Sequence, residues 1–271
     1  WSGSPLLVPA RKLPRTRTGS MQYVVPNLPR HIFGWHSPNL SLDMPIVSYG
    51  ERGHPLLLFP TAQADFLENE RFFLIKSIEP LIFAGKVRVF SIDSINKHAW
   101  MNDDLHPLEK ARRQRLYSQY IEEEVVPHIR RVCGDVRIAT SGASFGAFHA
   151  ANTLFRRPDL FDTVIAMSGF YDLEPGYTEG HMNDDIYFNN PVSYLSNLHG
   201  RDLDLLKHHT QIHIVSGRGA YEAPHRSEQL SRVLSTRGIA HNLDLWGYDV
   251  NHDWPWWRRM LPHYIGERLG W

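Results

Sequence analysis

The segment Gly142-Ala143-Ser144-Phe145-Gly146 has the form G-x-S-x-G and lies where a strand is expected to turn into a helix. A short alternating run with β-branched residues, 135–140, precedes it, and a run of helical character, 147–155, follows it. Glycines at 142 and 146 lack the Cβ atoms that a tight strand-to-helix turn would force together. This context predicts a nucleophile elbow, in which a serine hydroxyl is held at a sharp bend.

The five-residue pattern taken alone also fits a flexible turn, because glycine and serine are common in turns. The sequence after the pattern favours the elbow. Ala147, Ala150 and Ala151 are small enough to let a helix lie close against a sheet. The amide of Phe145 would then lie at a helix N-terminus, where free N–H groups and the helix dipole favour a developing oxyanion.

The amino-acid composition and the net charge limit the kinds of substrate or binding partner to be expected. The chain has 271 residues and 42% hydrophobic residues, which is enough for one large α/β domain. Lys+Arg and Asp+Glu number 29 each, so the net charge is zero and gives no support for nucleic acid or an acidic membrane as a partner. No apolar run reaches transmembrane length. We expect a small-molecule substrate and no membrane span.

The N-terminal segment and the single cysteine set further expectations. Residues 1–20 carry four basic residues and three prolines but no apolar signal region, so we expect an unstructured leader or a non-native remnant. A domain is expected over residues 21–271. The missing secretory signal favours a cytoplasmic location. Cys133 is the one cysteine, which excludes an internal disulfide and leaves it a structural role.

Apolar or alternating runs recur along the chain and are typical of strands. Several are continuous, such as Leu56–Phe59, which indicates strands covered on both faces. The first two runs are close in sequence and predict an antiparallel hairpin at one edge. The candidate strands are His31–Trp35, Pro45–Tyr49, Pro55–Phe59, Val87–Ile92, Val136–Thr140, Thr163–Met167, Gln211–Ser216 and Asn242–Trp246.

Helical patterns separate these runs, with Gly238 a candidate C-terminal cap. The alternation predicts an α/β fold: a three-layer sandwich of about eight mostly parallel strands with helices on both faces. Residues 170–209 have little regular period, and we expect a cap-like insertion there. The predicted helices are Glu68–Ala84, Leu108–Arg131, Phe145–Arg156, Pro224–Thr236 and Trp254–Arg268.

In an open parallel sheet, ligands bind beyond the carboxyl ends of the strands, so partners of Ser144 should follow strands. His252 lies in the loop between the last strand and the last helix, and it is the candidate general base. A helix-capping or surface histidine is the alternative. His263, inside the last helix, is a weaker candidate, and His149 behind the nucleophile is expected to be packed.

Glu222 is the candidate acid, because it is the acidic residue in the loop that follows the seventh strand. A carboxylate there would orient the imidazole and stabilise its cation. An acidic residue placed near a helix N-terminus for the dipole is the alternative interpretation. Asp249 and Asp253 flank the histidine and are the other candidates, although Asp253 directly precedes a Trp-Pro helix start and fits a cap.

A second oxyanion donor should come from the loop after the third strand, Pro60-Thr61-Ala62-Gln63. A backbone N–H needs no special side chain, and either Thr61 or Ala62 can serve; we favour Ala62. The candidate pocket residues are Thr61, Gln63, Phe170 and Trp254, with core packing the alternative for the aromatic pair. No metal-ligand or phosphate-loop motif is present, and no cofactor or metal is expected.

Several segments together resemble the putative-esterase branch of the α/β-hydrolases, which includes esterase D-like, enterochelin esterase-like and mycolyltransferase-like enzymes. The resemblance covers roughly Trp35 to the C-terminus, and the elbow and histidine loop are its most specific parts. The loop after the third strand departs from it in lacking glycine, and a glutamate stands where many relatives have aspartate. The similar segments are Gly142–Phe148, Phe59–Thr61, Val125–Ile129, Gly217–Glu222 and Asn251–Trp254.

The resemblance implies a serine esterase with Ser144 as nucleophile, His252 as base and Glu222 as acid. The amides of Phe145 and Ala62 would be the oxyanion donors. The expected reaction is hydrolysis of a small or medium carboxylic ester through an acyl-enzyme. Two alternatives stay open: acyl transfer to an alcohol or sugar by the same triad, and a non-catalytic binding protein with this fold.

Overall fold

The structure is a computed structural model that describes residues 27–174 and 176–270, and within these ranges eight strands form one sheet. The strand order is β1-β2-β4-β3-β5-β6-β7-β8. The expected leader, residues 1–20, lies outside the described residues. The strands are β1 Arg30–Ser37, β2 Leu42–Tyr49, β3 His54–Phe59, β4 Val87–Ile92, β5 Ile138–Ala143, β6 Phe161–Met167, β7 Gln211–Ser216 and β8 Asn242–Leu245.

The pairing confirms the predicted mostly parallel sheet and its antiparallel edge hairpin. Strands β1 and β2 pair antiparallel, β2 pairs antiparallel with β4, and all pairs from β4 to β8 are parallel. The carboxyl ends of β3 and of β5 to β8 therefore meet at one edge. This edge is where the loops carrying Ala62, Ser144, Glu222 and His252 leave the sheet.

Helices cover both faces of the sheet in the described residues. The helices are α1 Glu68–Arg71, α2 Leu74–Ser77, α3 Glu79–Phe83, α4 Pro107–Tyr120, α5 Val126–Cys133, α6 Phe145–Arg156, α7 Asp184–Tyr187, α8 Pro191–Leu195, α9 Arg201–His208, α10 Pro224–Thr236 and α11 Trp254–Leu269. A 3₁₀ turn at Asn96–His98 follows β4. Gly238 follows α10 with a φ of 67°, as the cap prediction requires.

The two faces of β3 show how the layers form. Successive side chains of a strand point to opposite faces, and every position of this strand from 55 to 59 is buried. Leu57 and Phe59 pack into a core with α4, α5, α6 and α10. Leu56 and Leu58 pack into a second core with α2, α3 and α11. The continuous apolar run thus reflects a strand that is covered on both sides.

Two predicted helices differ from the structure. The pattern over Glu68–Ala84 breaks into α1, α2 and α3, because Phe73 has a φ of 62° between the first two and Pro80 lies in the first turn of the third. The pattern over Leu108–Arg131 passes through a π-helical segment, Ile121–Val125. Pro127, two residues after this segment, has no N–H to donate to the preceding turn, which accounts for the change in hydrogen-bond register there.

The segment expected as a cap-like insertion connects β6 to β7 and contains α7, α8 and α9. It is anchored on the neighbouring helices by polar contacts. Arg115 Nε of α4 donates to Asp185 Oδ1 at 2.8 Å, and Gln229 Nε2 of α10 donates to Asp172 Oδ2 at 2.9 Å. None of the helices in the described ranges combines the length and the apolar character that a membrane crossing requires.

Candidate active site

Ser144 lies at a sharp bend between β5 and α6, with φ of 56° and ψ of −121°. A non-glycine residue rarely adopts this region, and such strain is found mostly at functional sites. The flanking glycines explain how the bend closes. A Cβ on Gly142 would lie 2.4 Å from the carbonyl carbon of Gly146, and one on Gly146 would lie 2.7 Å from the oxygens of Phe59 and Pro60. The chain thus has the predicted elbow geometry.

Backbone hydrogen bonds place the loops after β5, β6 and β7 side by side. The Ser144 amide donates to the Met167 carbonyl at 2.9 Å, and the Ser168 amide donates to the Val215 carbonyl at 2.7 Å. The loop after β7 is in turn tied to the histidine loop, since the His252 amide donates to the Ala220 carbonyl at 3.0 Å. The elbow, the loop after β7 that carries Glu222 (the acid loop) and the loop after β8 that carries His252 (the histidine loop) therefore occupy one edge of the sheet.

The side chains of His252 and Glu222 face each other at this edge. The distance from His252 Nδ1 to Glu222 Oε2 is 3.5 Å, and the two side chains are 26% and 1% exposed. The rings of His252 and Trp257 meet edge to face at 5.0 Å. Among the described residues, no hydrogen bond joins Ser144 Oγ to His252. Catalytic contacts of this kind are often long without substrate and shorten when it binds.

The carboxylate of Glu222 is held in its charged form. Ser168 Oγ donates to Oε1 at 2.6 Å, and Ser216 Oγ donates to Oε2 at 3.1 Å. Burial by itself raises the pKa of Glu222, but the bonds from His252 and Ser168, the His252 charge and the Gly217 amide outweigh it and leave the pKa below its ordinary value. A buried, ionised carboxylate beside Nδ1 can stabilise an imidazolium.

Sequence reasoning missed Ser168 as part of this network. Ser168 directly follows β6, has a φ of 53°, and accepts a hydrogen bond from Trp257 Nε1 at 3.0 Å while donating to Glu222. Its position after a strand, at the edge where Ser144 also lies, was the available signal. The link to Trp257 was not available, because α11 packs there only in the folded chain.

The other candidates for base and acid have different surroundings. Asp253 caps α11 by accepting from the Trp254 amide at 2.7 Å, as its sequence context predicts. Asp249 is exposed. His263 pairs with Glu267 at 3.3 Å on the outer side of α11. His149 is fully buried in α6, in keeping with the packed role expected for it.

Two backbone amides are available to an oxyanion at the elbow. Phe145 is the first residue of α6, where the N–H has no partner within the helix. In the loop after β3, the Thr61 amide already donates to Glu68 Oε2 at 2.7 Å, so Ala62 is the better of the two candidates considered. Ala62 has a φ of 23°, an unusual value for alanine.

The candidate pocket residues have different surroundings. Gln63 is exposed, and its Nε2 donates to the Met101 carbonyl at 3.0 Å. Phe170 packs edge to face on Phe145 at 4.9 Å. Trp254 stacks on the half-exposed Phe72 ring at 4.7 Å. The role of these residues and of Thr61 in holding a substrate stays a prediction.

Comparison with known proteins supports the assignment of the fold. Three solved structures are similar: a ferulic acid esterase (16% identity, TM-score 0.69, covering 89% of this chain and 98% of that chain), an S-formylglutathione hydrolase from Agrobacterium tumefaciens (13%, 0.69, 92% and 98%), and the fluorophosphonate-binding serine hydrolase F from Staphylococcus aureus (13%, 0.65, 89% and 98%). At such low identity the similarity shows the α/β-hydrolase fold alone. A search of curated proteins finds no significant sequence match.

Residues 91–266 match the family described as "Putative esterase". This range spans well over half of the chain and includes the elbow, the acid loop and the histidine loop. We conclude that the protein belongs to this family and is an ester hydrolase with the α/β-hydrolase fold.

Proposed function

We propose that the protein hydrolyses a small or medium carboxylic ester through an acyl-enzyme formed on Ser144. The observation that supports this most directly is the strained serine at the elbow, with a buried carboxylate–imidazole pair on the adjacent loops. A serine hydroxyl is a weak nucleophile unless a base removes its proton. In this proposal His252 is that base and Glu222 orients it.

In the first half of the reaction, Ser144 Oγ attacks the ester carbonyl carbon and His252 Nε2 accepts the hydroxyl proton. Nδ1 is the nitrogen that faces Glu222, which leaves Nε2 for the serine. The carbonyl oxygen becomes an oxyanion, bound by the Phe145 and Ala62 amides. The C–O bond to the alcohol then breaks, the imidazolium gives its proton to the leaving oxygen, and the acyl group stays on Ser144.

In the second half, water attacks the acyl-enzyme carbonyl and His252 takes a proton from that water. The tetrahedral intermediate collapses, Ser144 recovers its proton from the imidazolium, and the carboxylic acid leaves. Every proton transfer passes through one imidazole, so no cofactor is required in this scheme. Transfer to an alcohol instead of water would use the same acyl-enzyme, and the two reactions differ only in the product.

Residues 170–209 are proposed as a cap over one side of the site. The support is the aromatic contact between this segment and the elbow helix. Tyr177 packs edge to face on Phe145 at 5.5 Å and stacks on Phe170 at 5.5 Å. These rings surround the side chain whose amide is the proposed oxyanion donor.

The test combines covalent labelling with a substrate panel. A fluorophosphonate probe should label the wild-type protein at Ser144, identified by peptide mass spectrometry, and Ser144→Ala should lose both labelling and turnover. Ser235→Ala, on the exposed side of α10, is the matched control and should retain both. Turnover by Ser144→Ala at a wild-type rate would overturn the proposal.

p-Nitrophenyl esters of graded chain length, with aryl and sugar esters, would define the acyl and alcohol preference. Product analysis with added alcohols separates hydrolysis from acyl transfer. Formation of a new ester in place of free acid would assign the transferase reaction to the same serine.

A further inference from the structure

The loop that presents the Ala62 amide is held by buried polar groups that sequence reasoning did not connect with the site. The Ala62 carbonyl accepts a hydrogen bond from Asn96 Nδ2 at 2.6 Å and another from Ser94 Oγ at 3.0 Å. Both donors are buried, in the segment that follows β4. Two donors on one carbonyl fix the peptide that directly follows the Ala62 N–H, in a residue whose φ is itself unusual.

Asn96 makes a second contact at its other end. Its Oδ1 lies 2.9 Å from His149 Nε2, and both side chains are at most 1% exposed. Because Nδ2 of Asn96 faces a carbonyl, Oδ1 must accept, and the hydrogen of His149 is therefore on Nε2. Burial lowers the pKa of His149 to about 3, so the ring is a neutral donor at any physiological pH.

His149 belongs to the elbow helix, four residues after Phe145, and its ring stacks on the Phe145 ring at 5.3 Å. The chain of contacts therefore runs from α6, which carries the Phe145 amide, through His149 and Asn96 to the Ala62 peptide. It thus connects Phe145 and Ala62, the two residues whose backbone N–H groups would bind one oxyanion in the proposed mechanism. Oxyanion donors are effective only when they are held in place before the reaction.

We propose that Asn96 and His149 are positioning residues that set the separation and direction of the two oxyanion donors. The proposal rests on the proposed esterase function, and it makes the packed histidine behind the nucleophile part of the catalytic machinery. Neither residue touches substrate. Their loss should weaken binding of the tetrahedral state and leave binding of the ground-state ester nearly unchanged.

Asn96→Asp is the sharpest variant, because it keeps the size of the side chain and replaces the donor to the Ala62 carbonyl with an oxygen. We expect kcat on a p-nitrophenyl ester to fall about 10- to 100-fold, since a small misplacement of a catalytic group has effects of this size. KM should stay within about twofold if only transition-state contacts are lost. The affinity for phenylboronic acid, which forms a tetrahedral adduct on serine, should fall with kcat.

His149→Phe and His149→Gln test the second link. Phenylalanine keeps the ring contact with Phe145 but has no donor, and kcat should fall as in Asn96→Asp. Glutamine retains an N–H that can reach Asn96 Oδ1, and it should recover part of the loss. Equal kcat values in the two variants would contradict a role for the His149 hydrogen bond.

Asn152→Asp is the matched control. Asn152 is also on α6 and 2% exposed, but its amide bonds to Asn189 Oδ1 at 3.1 Å and to Tyr194 at 3.0 Å, on the side of the insertion. It should lower the melting temperature without lowering kcat per labelled serine. If Asn96→Asp also lowers the melting temperature without lowering kcat per labelled serine, the inference is overturned.

If Asn96→Asp does not fold, Ser94→Ala tests whether the bonds to the Ala62 carbonyl affect kcat. It removes one of the two donors to the Ala62 carbonyl, and kcat should fall severalfold with KM unchanged; an unchanged kcat overturns the inference. A wild-type protein that is not labelled at Ser144, or full turnover by Ser144→Ala, would instead overturn the proposed function. The two failures are thus distinguishable.

Discussion

The candidate site has two halves that are held in place by different chemistry. The acid–base half, formed by the loops after β6, β7 and β8, depends on the ionised carboxylate of Glu222 and its donors Ser168 and His252. The oxyanion half, formed by the loop after β3, depends on neutral groups and on one further carboxylate, Glu68. Glu68 accepts from the Thr61 amide at 2.7 Å and from Thr61 Oγ1 at 2.8 Å.

The two buried glutamates differ in the direction of their pKa shift. Burial raises the pKa of Glu68, and the two bonds from Thr61 together with Arg71 offset only part of that effect. Glu222 is also buried, but its donors and the nearby histidine lower its pKa. The comparison shows that the number and charge of the donors, rather than burial alone, decide the direction in which the pKa of each carboxyl group moves.

The largest effect is expected for Glu222→Gln. Glutamine cannot stabilise an imidazolium, and the equivalent change in a serine protease lowers kcat by about 10⁴, so we expect a loss on the order of 10³–10⁴. KM should change little. The folded pKa of Glu222 lies below the ordinary value of 4.5, so its ionisation stabilises the folded state above that value. The stability deficit of Glu222→Gln should therefore shrink as the pH falls below 4.5 and through the folded pKa of Glu222.

Chemical denaturation at several pH values measures this dependence, with Glu51→Gln, an exposed site, as the control. A deficit that stays constant from pH 7 to pH 3 would show that Glu222 is not held in its charged form. Near-normal kcat in Glu222→Gln, with loss of activity in Asp249→Ala, would assign the acid to Asp249 instead.

The opposite pH slope is expected for Glu68→Gln. The folded pKa of Glu68 lies above its ordinary value, so ionisation destabilises the folded state as the pH rises through the folded pKa. Glutamine does not ionise, so the stability of Glu68→Gln relative to wild type should increase as the pH rises from 4 to 7.

The same variant should also affect activity. Because one bond to Thr61 is altered, kcat should fall about three- to tenfold through displacement of the loop after β3.

Glu70→Gln, on the same short helix, provides the control. Glu70 binds Arg30 and Tyr49 at the surface, away from the loop after β3, and kcat should be unaffected. If Glu68→Gln and Glu222→Gln show the same pH slope, the contrast between the two halves is wrong.

The acid–base half was largely predictable from sequence, because its parts are attached to regular elements. Each of the eight strands was found, and the residues that follow their carboxyl ends include Ser144, Glu222 and His252. A Gly-x-Ser-x-Gly turn has no room for a Cβ at its two glycine positions, and those glycines can be read directly from the sequence. Because these strands are parallel neighbours in one sheet, the loops that follow them lie side by side at one edge.

The oxyanion half was less predictable, because its contacts join residues that no periodic pattern relates. Asn96 and His149 are 53 positions apart, and their hydrogen bond depends on how the turn after β4 lies on α6. The single helix predicted over Glu68–Ala84 also breaks at Phe73, whose positive φ has no sequence signal. Irregular backbone of this kind is specified by tertiary packing rather than by local propensity.

The smallest effect is expected where one donor is removed from Glu222. Ser168→Ala deletes the 2.6 Å hydrogen bond to Oε1, and Ser216→Ala deletes the longer one of 3.1 Å to Oε2. A bond to a charged acceptor contributes roughly 1.5–3 kcal/mol, so Ser168→Ala should raise the pKa of Glu222. Because the carboxylate keeps the donors Ser216 and His252, kcat at neutral pH should fall only about two- to threefold. The loss of folding stability on acidification should then begin at a higher pH than in wild type.

Ser216→Ala should move the start of this loss of stability by a smaller amount, because its bond is longer and its hydroxyl also faces the Gly217 carbonyl at 3.1 Å. Chemical denaturation of wild type and both variants over a series of pH values measures the order in which the three proteins lose stability. Ser168 also accepts from Trp257, so its variant should lose stability that Ser216→Ala retains. An equal shift in both variants would mean that the short bond from Ser168 has no special part in keeping Glu222 ionised.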